Sequence, residues 1–95
     1  MNLLNSSIES KYIELEETFG AHNYRPLPVV LKKGLGPFLW DLNNKKYFDF
    51  LSAYSSLNQG HCHPELLKVL FNQASKLTLT SRAFYNNTLG EFQEF

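Results

Sequence analysis

The residues best suited to chemistry stand together in the run Gly60-His61-Cys62-His63-Pro64. Imidazoles and thiolates bind zinc, and a thiol paired with an imidazole can act as a nucleophile. Zinc usually takes ligands from two separate places in the chain, however, and the third histidine, His22, stands alone near prolines. Neighbouring side chains in extended backbone also face apart. We therefore predict no metal site and no nucleophilic pair here.

A structural assignment fits the same run. We expect His61 to hydrogen-bond within its loop and Cys62 to be a small buried hydrophobe. His63 is expected in the capping region of the helix that Pro64 begins. The earlier run Gly34-Leu35-Gly36-Pro37 lacks the third glycine of a phosphate loop and is predicted to be a turn. Asp41 and Asp49 are interpreted as hydrogen-bond acceptors beside turns.

The first half of the chain is predicted to be one helix followed by a three-stranded meander. The helix has its N-cap at Ser6 or Ser7, an apolar stripe at positions 8, 12, 15 and 19, and its end at Gly20. The proline-containing run 22–28 must be extended. Strands are predicted at 29–33, 38–41 and 45–50, joined by turns at 34–37 and 42–44. Asn44 suits a turn because asparagine tolerates positive φ.

The second half is predicted to be more helical. A polar loop over 52–60 surrounds Tyr54, and a helix begins at Pro64. Its predicted buried face consists of Leu66, Leu67, Leu70, Ala74 and Leu77. After an irregular stretch at 78–87, Asn87 or Thr88 is expected to cap a last helix that is cut short at Phe95. With eight Phe in 95 residues, the chain is expected to be a fragment or to need a partner.

Composition excludes several classes of function. The formal net charge is zero and no basic cluster exceeds a pair, so nucleic acid and anionic membrane are not expected partners. No stretch approaches the roughly 20 apolar residues that a membrane-spanning helix needs. The single cysteine fits a reducing compartment. Because the first residues lack a signal sequence and the arginines of a transit peptide, we expect a cytoplasmic location.

Three side chains in irregular segments are candidates for binding. Arg82 lies among hydroxyls and aromatic rings, which suits either an anion or a protein interface. Tyr24 and Tyr54 each combine an aromatic ring with a polar tip. From the residues alone, packing and function are equally good explanations for all three.

Several blocks of the sequence resemble the ornithine aminotransferases, a group within the class III pyridoxal-phosphate-dependent aminotransferases. They are Gly20-Ala21-His22-Asn23-Tyr24-Arg25-Pro26-Leu27-Pro28-Val29, Leu39-Trp40-Asp41, Lys46 to Ser55, Asn58 to Pro64 and Lys76 to Asn87. The likeness is to the N-terminal part of those enzymes and covers nearly the whole chain from about Tyr12. Asn44 departs from it, since the family usually has glycine there.

The resemblance implies the N-terminal segment of an α/β enzyme with the aspartate-aminotransferase-like fold, fold type I. Residues 1–54 would be a helix and meander belonging to the small domain, and 55–95 the start of the large cofactor-binding domain. The enzyme would be a homodimer using pyridoxal 5'-phosphate, held mainly by residues beyond this segment. It would transfer the δ-amino group of ornithine to 2-oxoglutarate, giving glutamate 5-semialdehyde and glutamate, a step suited to proline biosynthesis.

The resemblance also assigns roles to particular residues. Tyr24 matches the tyrosine whose hydroxyl helps to hold the α-amino end of ornithine, and Tyr54 matches the one that selects ornithine over simpler amines. Ser81, Arg82, Phe84 and Tyr85 would lie at the dimer interface and the rim of the active site. No catalytic residue is expected, because no lysine here lies in a Schiff-base context, so the chain alone should be inactive. The alternatives are an aminotransferase for another ω-amine, such as 4-aminobutyrate or acetylornithine, and a free-standing interaction module.

Overall fold

The computed structural model describes residues 3–95, with side chains from Ile8 onward. In chain order the elements are α1 (Leu3–Phe19), β1 (Leu31–Leu35), β2 (Phe38–Asp41), β3 (Lys46–Phe48), α2 (Ser52–Ser55), α3 (Pro64–Ala74) and α4 (Leu89–Glu94). They divide into one compact unit that ends at His63 and a second that runs from Pro64 to Phe95. The division at 54/55 into parts of two domains stays a prediction.

The first helix is longer than the sequence predicts. It starts at Leu3, so the N-cap predicted at Ser6 or Ser7 is wrong, since both residues lie inside α1. Serine is only a moderate helix former but does not stop a helix, and apolar residues precede it here. The predicted end is confirmed, because α1 stops at Phe19 and the Gly20 N–H donates to Glu16 O at 2.7 Å.

The three-stranded antiparallel meander is confirmed, with strand order β1-β2-β3. Its first turn is shorter than predicted. Leu35 pairs with Phe38, so only Gly36 and Pro37 connect the strands and the rest of the predicted turn belongs to β1. Gly36 has a φ of 54°, and a two-residue hairpin needs positive φ at its first central position. Glycine supplies that conformation without steric cost.

The second turn is organised around Asp41, which is only 4% exposed. Its Oδ1 accepts the backbone N–H groups of Asn43 and Lys45, both at 2.9 Å, and its Oδ2 accepts the Tyr47 hydroxyl at 2.8 Å. Burial acts to raise the pKa of Asp41, but these three bonds, led by that of Tyr47, outweigh it and lower the pKa. Asn44 adopts the predicted positive φ, at 63°.

One face of the sheet carries aromatic rings and lysines. The rings of Phe38 and Phe48 lie 4.9 Å apart, and Phe48 stacks on Phe50 at 5.7 Å. Lys46 Nζ lies 3.7 Å from the centre of the Phe38 ring. Such cation–π contacts contribute about 0.5–1 kcal/mol at exposed sites. Because Phe50 is 92% exposed, this face holds the strands together without forming a closed core.

The second unit contains two helices. The predicted helix at Pro64 is confirmed as α3, but the prediction that its apolar face is buried is wrong within the described chain. Leu66 and Leu70 are 56% and 59% exposed, because no other described element covers them. In α4 the N-cap is Thr88, as predicted. The capping acceptor is Asn86, whose Oδ1 takes the backbone N–H of Thr88 and of Leu89.

Among the described side chains, from Ile8 to Phe95, no apolar group is fully buried. Among the side chains from Ile8 onward, Asp41 is the only buried residue, and large apolar groups such as Phe19 and Leu79 are more than four-fifths exposed. Burial of apolar surface is the main force that stabilises a fold, and here the apolar side chains from Ile8 onward are at most partly buried. Within the described range, no helix has the length and apolar character needed to cross a membrane. The apolar faces therefore require further polypeptide to cover them.

We expect the isolated 95-residue chain to lack a cooperative fold. Without buried apolar groups, heating should give a gradual change in far-UV circular dichroism, and the cold chain should bind a hydrophobic dye. A sharp thermal transition in a chain shown to be monomeric by ultracentrifugation would contradict this expectation.

Candidate functional site

Asp49, just after β3, makes hydrogen bonds through both of its carboxylate oxygens. Its Oδ1 accepts the Ser52 N–H at 2.8 Å, and its Oδ2 lies 2.6 Å from His61 Nε2. The N–H of Asp49 itself donates to Pro37 O at 2.8 Å. One residue thus connects the hairpin, the start of α2 and a histidine twelve positions further along. We call Asp49 and His61 the Asp–His pair.

The hydrogen bonds of Asp49 favour the ionised form of its carboxyl group. The Ser52 N–H first, and His61 second, lower the pKa of Asp49, while partial burial opposes them. An ionised carboxylate can only accept, so the proton in the contact belongs to His61 Nε2. The side chains are 22% and 11% exposed for His61 and Asp49, which limits competition from water. The His61 side chain is thus hydrogen-bonded, but to Asp49 before the loop, so the prediction of a bond within its own loop is wrong.

The backbone and two glycines hold His61 in place. Its N–H donates to Gly36 O at 2.9 Å, and its carbonyl accepts the Gly36 N–H at 3.0 Å. A Cβ at Gly34 would lie 2.7 Å from the His61 ring, closer than real contacts allow. Gly60 has a φ of 77° and a Cβ position 3.1 Å from the Gly36 backbone. The imidazole is therefore packed directly against the hairpin.

The segment that carries Tyr54 has an unusual backbone. All four residues of α2 have positive φ, at 48°, 50°, 57° and 67° from Ser52 to Ser55. Left-handed backbone costs residues with a Cβ roughly 1–2 kcal/mol each. Local bonds hold it: Ser52 Oγ donates to Asp49 O at 3.0 Å, and the Leu57 N–H donates to Ser52 O at 3.0 Å. The predicted loop is a fixed, left-handed turn.

Strained backbone of this kind tends to persist at functional sites, where the surroundings determine it. Beside the turn lies a cleft of about 340 Å³. It is lined by Gly36, Pro37, Asp49, Ser52 and residues 57–61. The Asp–His pair thus lies at the wall of a cleft as well as under the turn.

The two predicted substrate tyrosines lie in the first unit, Tyr24 in irregular backbone as expected and Tyr54 in the left-handed turn α2. Tyr24 is 70% exposed and Tyr54 is 79% exposed, so the described chain does not bury either phenol. A second cleft, of about 280 Å³, lies between α1 and residues 26–31, which lead into β1. These residues follow Tyr24 in the chain. Neither tyrosine lines this cleft or the one beside α2. Their joint role in substrate binding stays a prediction.

The predicted interface residues lie in the irregular segment before α4. Ser81 Oγ accepts the Ala83 N–H at 3.1 Å, which fixes the local turn. Phe84 is 69% exposed and Tyr85 fully exposed. Arg82 lines a third cleft, with Leu77, Thr80 and Phe92 among its other walls. Exposed rings beside an arginine suit a protein interface, and the assignment stays a prediction.

Two interpretations of single residues need revision. Cys62 is exposed, so its prediction as a buried hydrophobe is wrong. Its φ of 54° shows a left-handed backbone at this position, which the sequence did not indicate. Asp49 was placed correctly as an acceptor beside a turn, but its link to His61 was missed. Only the serine three positions later hinted at a capping arrangement.

The described residues do not make a complete site for pyridoxal phosphate, which needs a Schiff-base lysine, an acid for the ring nitrogen and phosphate donors. Lys33 and Lys46 lie over the rings of Trp40 and Phe38, at 4.8 and 3.7 Å. No lysine lines any of the three clefts. In the range with described side chains there is also no cluster of three metal-binding groups.

Comparison with known proteins identifies the class. A profile of the family "Aminotransferase class-III" matches residues 19–95. The chain belongs to this family of aminotransferases. The fold prediction is confirmed as well, because solved structures of such enzymes match the chain with its N-terminal helix, antiparallel sheet and following helices.

Within that family several similar proteins are named ornithine aminotransferases. A probable mitochondrial ornithine aminotransferase of Caenorhabditis elegans is 66% identical over 94% of this chain and 21% of its own length. The mitochondrial enzyme of Rattus norvegicus is 58% identical over 90% of this chain. The chain spans about a fifth of these relatives. The predicted resemblance to the N-terminal part of ornithine aminotransferases is confirmed.

Two solved structures resemble the chain closely. Plasmodium falciparum ornithine δ-aminotransferase has a TM-score of 0.82 and 57% identity, covering 87% of this chain and 21% of its own. An enzyme from Elizabethkingia anophelis, named an acetylornithine aminotransferase, has a TM-score of 0.85 and 63% identity, covering 90% and 22%. Because of the second name, a test of substrate preference must compare acetylornithine with ornithine.

The predicted cytoplasmic location is contradicted. The relatives from C. elegans, Drosophila ananassae and R. norvegicus are all named mitochondrial. The prediction depended on the absence of a basic leader in the first residues. Residues of the folded part of a protein do not show whether the protein has such a leader. The lack of basic residues among them therefore did not justify the prediction of a cytoplasmic location.

The packing of His61 against Gly34 can be tested with Gly34→Ala in the protein that contains this chain. The added methyl group must displace the imidazole, so stability should fall by about 1–3 kcal/mol. Gly90→Ala is the matched control, because a Cβ there meets nothing within 4 Å. In helix α4 it should raise stability by about 0.5–1 kcal/mol. Thermal melting of both variants checks the pair, and an undiminished Gly34→Ala melting temperature contradicts the packing.

Proposed function

We propose that this chain is the N-terminal portion of an ornithine aminotransferase that transfers the δ-amino group of ornithine to 2-oxoglutarate. The observation that carries the proposal is identity of 56–66% over more than four-fifths of the chain to proteins named ornithine aminotransferase, from nematode, insects, rat and Plasmodium. Family membership and these names favour ornithine over another ω-amine. They also disfavour a free-standing interaction module.

The segment's contribution is orientation of the substrate. Ornithine carries two amino groups, and transfer from the δ position requires the α end to be fixed away from the reacting centre. Tyr24 and Tyr54 are proposed to fix it, because a phenol has few rotatable bonds and a directional polar tip. Both tyrosines are exposed on the first unit, as groups that face a site completed by other polypeptide must be.

Pyridoxal phosphate, when bound, supplies an electron sink for the transfer. In this proposal it is held by residues outside the described range, and residues 55–95 form the start of the domain that holds it. The relatives' structures support the assignment, since one from Toxoplasma gondii is described with pyridoxal phosphate at its active site. The mitochondrion is the proposed location, after the names of the relatives.

A homodimer completes the proposal. Ser81, Arg82, Phe84 and Tyr85 would lie at the interface and the rim of the active site. The support is their exposure: Tyr85 and Phe84 present apolar rings that the second unit leaves uncovered. Aromatic residues and arginine are enriched at such interfaces.

The activity itself is tested by comparing the full-length protein with the 95-residue chain. The full-length protein should show ornithine-dependent formation of glutamate from 2-oxoglutarate, with a higher kcat/KM for ornithine than for acetylornithine or 4-aminobutyrate. The short chain should show none, because it lacks a lysine in a cofactor site. A higher kcat/KM for acetylornithine than for ornithine, or turnover by the short chain, would contradict the proposal.

The role of the tyrosines is tested by Tyr24→Phe and Tyr54→Phe in the full-length enzyme. Removing one bond to a charged substrate group should lower kcat/KM for ornithine by about tenfold to a hundredfold. The value for 4-aminobutyrate, which lacks the α-amino group, should stay within about twofold. Tyr12→Phe on α1 is the matched control and should change neither value. Equal losses for both substrates contradict a selective role.

A further inference from the structure

We infer that Asp49 and His61 are positioning residues for substrate selection, acting through the left-handed turn that carries Tyr54. This inference rests on the proposed function. It extends the site from two phenols to the side chains that determine where one of them can lie. Neither member of the Asp–His pair needs to touch substrate.

The first step of the argument is the bridging carboxylate. Asp49 places one oxygen 2.8 Å from the Ser52 N–H and the other 2.6 Å from His61 Nε2. Ser52 is the first residue of the turn, and its hydroxyl returns a bond to Asp49 O at 3.0 Å. The start of the turn is therefore fixed to a histidine that is itself bonded to the hairpin at Gly36.

The second step is the cost of the turn. Four successive residues with a Cβ hold positive φ, which none of them prefers. Without external bonds the segment would relax toward negative φ, a rotation of more than about 100° at each residue. Tyr54 has a φ of 57°, so relaxation would point its ring elsewhere. The bonds at Ser52 are thus a condition for the observed direction of the phenol.

The third step is the difference in solvent exposure between the Asp–His pair and Tyr54. Asp49 and His61 are mostly shielded from solvent, whereas Tyr54 is 79% exposed and its side chain makes no hydrogen bond within the described chain. A side chain without local contacts takes its position from its backbone. Asp49 fixes the first residue of that backbone, Ser52, and the N–H groups of Ser55 and Leu57 close the turn onto Leu51 O and Ser52 O, both at 3.0 Å.

Asp41 offers a matched control in the same unit. It lies at the end of a strand, as Asp49 does, and its side chain accepts three hydrogen bonds, from Asn43, Lys45 and Tyr47. These bonds fix the β2–β3 turn, and none of them leads to Tyr54. Loss of either carboxylate should lower stability, but only loss of Asp49 should change substrate selection.

The experiment uses the full-length enzyme with His61→Gln, His61→Asn, Asp49→Ala and Asp41→Asn. The amide nitrogen of Gln reaches about as far as imidazole Nε2, while that of Asn reaches only as far as Nδ1. Gln should therefore preserve the bond to Asp49 and Asn should lose it. For each variant we would measure the melting temperature, and kcat and KM for ornithine and for 4-aminobutyrate.

We expect His61→Asn and Asp49→Ala to lower the ornithine to 4-aminobutyrate ratio of kcat/KM by about tenfold, mainly through KM for ornithine. His61→Gln should keep the wild-type ratio, and Asp41→Asn should melt earlier with the ratio unchanged. In a Tyr54→Phe background, His61→Asn should cause no further loss, because both changes remove the same contact.

An unchanged ratio in His61→Asn, or a loss that adds fully to that of Tyr54→Phe, overturns the inference and leaves the proposed function standing. A wild-type enzyme without ornithine preference overturns both. If Asp49→Ala does not fold, the comparison of Gln with Asn at position 61 decides, since the two differ only in reach.

Discussion

The carboxylate of Asp49 is the interaction on which the geometry of the first unit depends. Its two oxygens bind the Ser52 N–H and the His61 imidazole. The backbone N–H of Asp49 donates to Pro37 O in the hairpin. The hairpin turn, the start of α2 and His61 therefore meet at this one residue. Shielding from water strengthens each of these bonds, because the local dielectric is lower than in solvent.

Polar contacts organise this chain, while its apolar surface stays open. Asp41 and Asp49 each fix a turn, and no described apolar side chain is buried around them. Hydrogen bonds give direction but little net stability, roughly 0.5–1.5 kcal/mol each. Membership of the class III aminotransferases explains the combination, since the chain spans only about a fifth of its relatives. The rest of such a protein would cover α1, α3 and the sheet face.

Sequence reasoning succeeded where the signal was local. Gly36, Pro37 and Pro64 mark the hairpin turn and the start of α3, and the apolar run 38–40 before Asp41 marks the central strand. It failed where distant contacts decide. The turn Ser52–Ser55 contains no glycine, so nothing in its sequence announced four left-handed residues. Its conformation depends on Asp49 and His61, which only the folded chain brings together.

The candidate site was predicted unevenly for the same reason. Tyr24 and Tyr54 came from resemblance to a family, because their types and spacing alone did not separate packing from binding. Burial of Leu66 and Leu70 was inferred from helical periodicity, which identifies an apolar face but not the polypeptide that covers it. Cys62 was misjudged because its positive φ could not be seen in the sequence.

The dependence of the turn on Asp49 is tested most directly by crystal structures of the full-length wild-type protein and its Asp49→Ala variant. The account predicts positive φ from Ser52 to Ser55 in the wild type, and a relaxed backbone with a redirected Tyr54 ring in the variant. An unchanged left-handed turn in Asp49→Ala would show that other contacts hold it and would contradict the account.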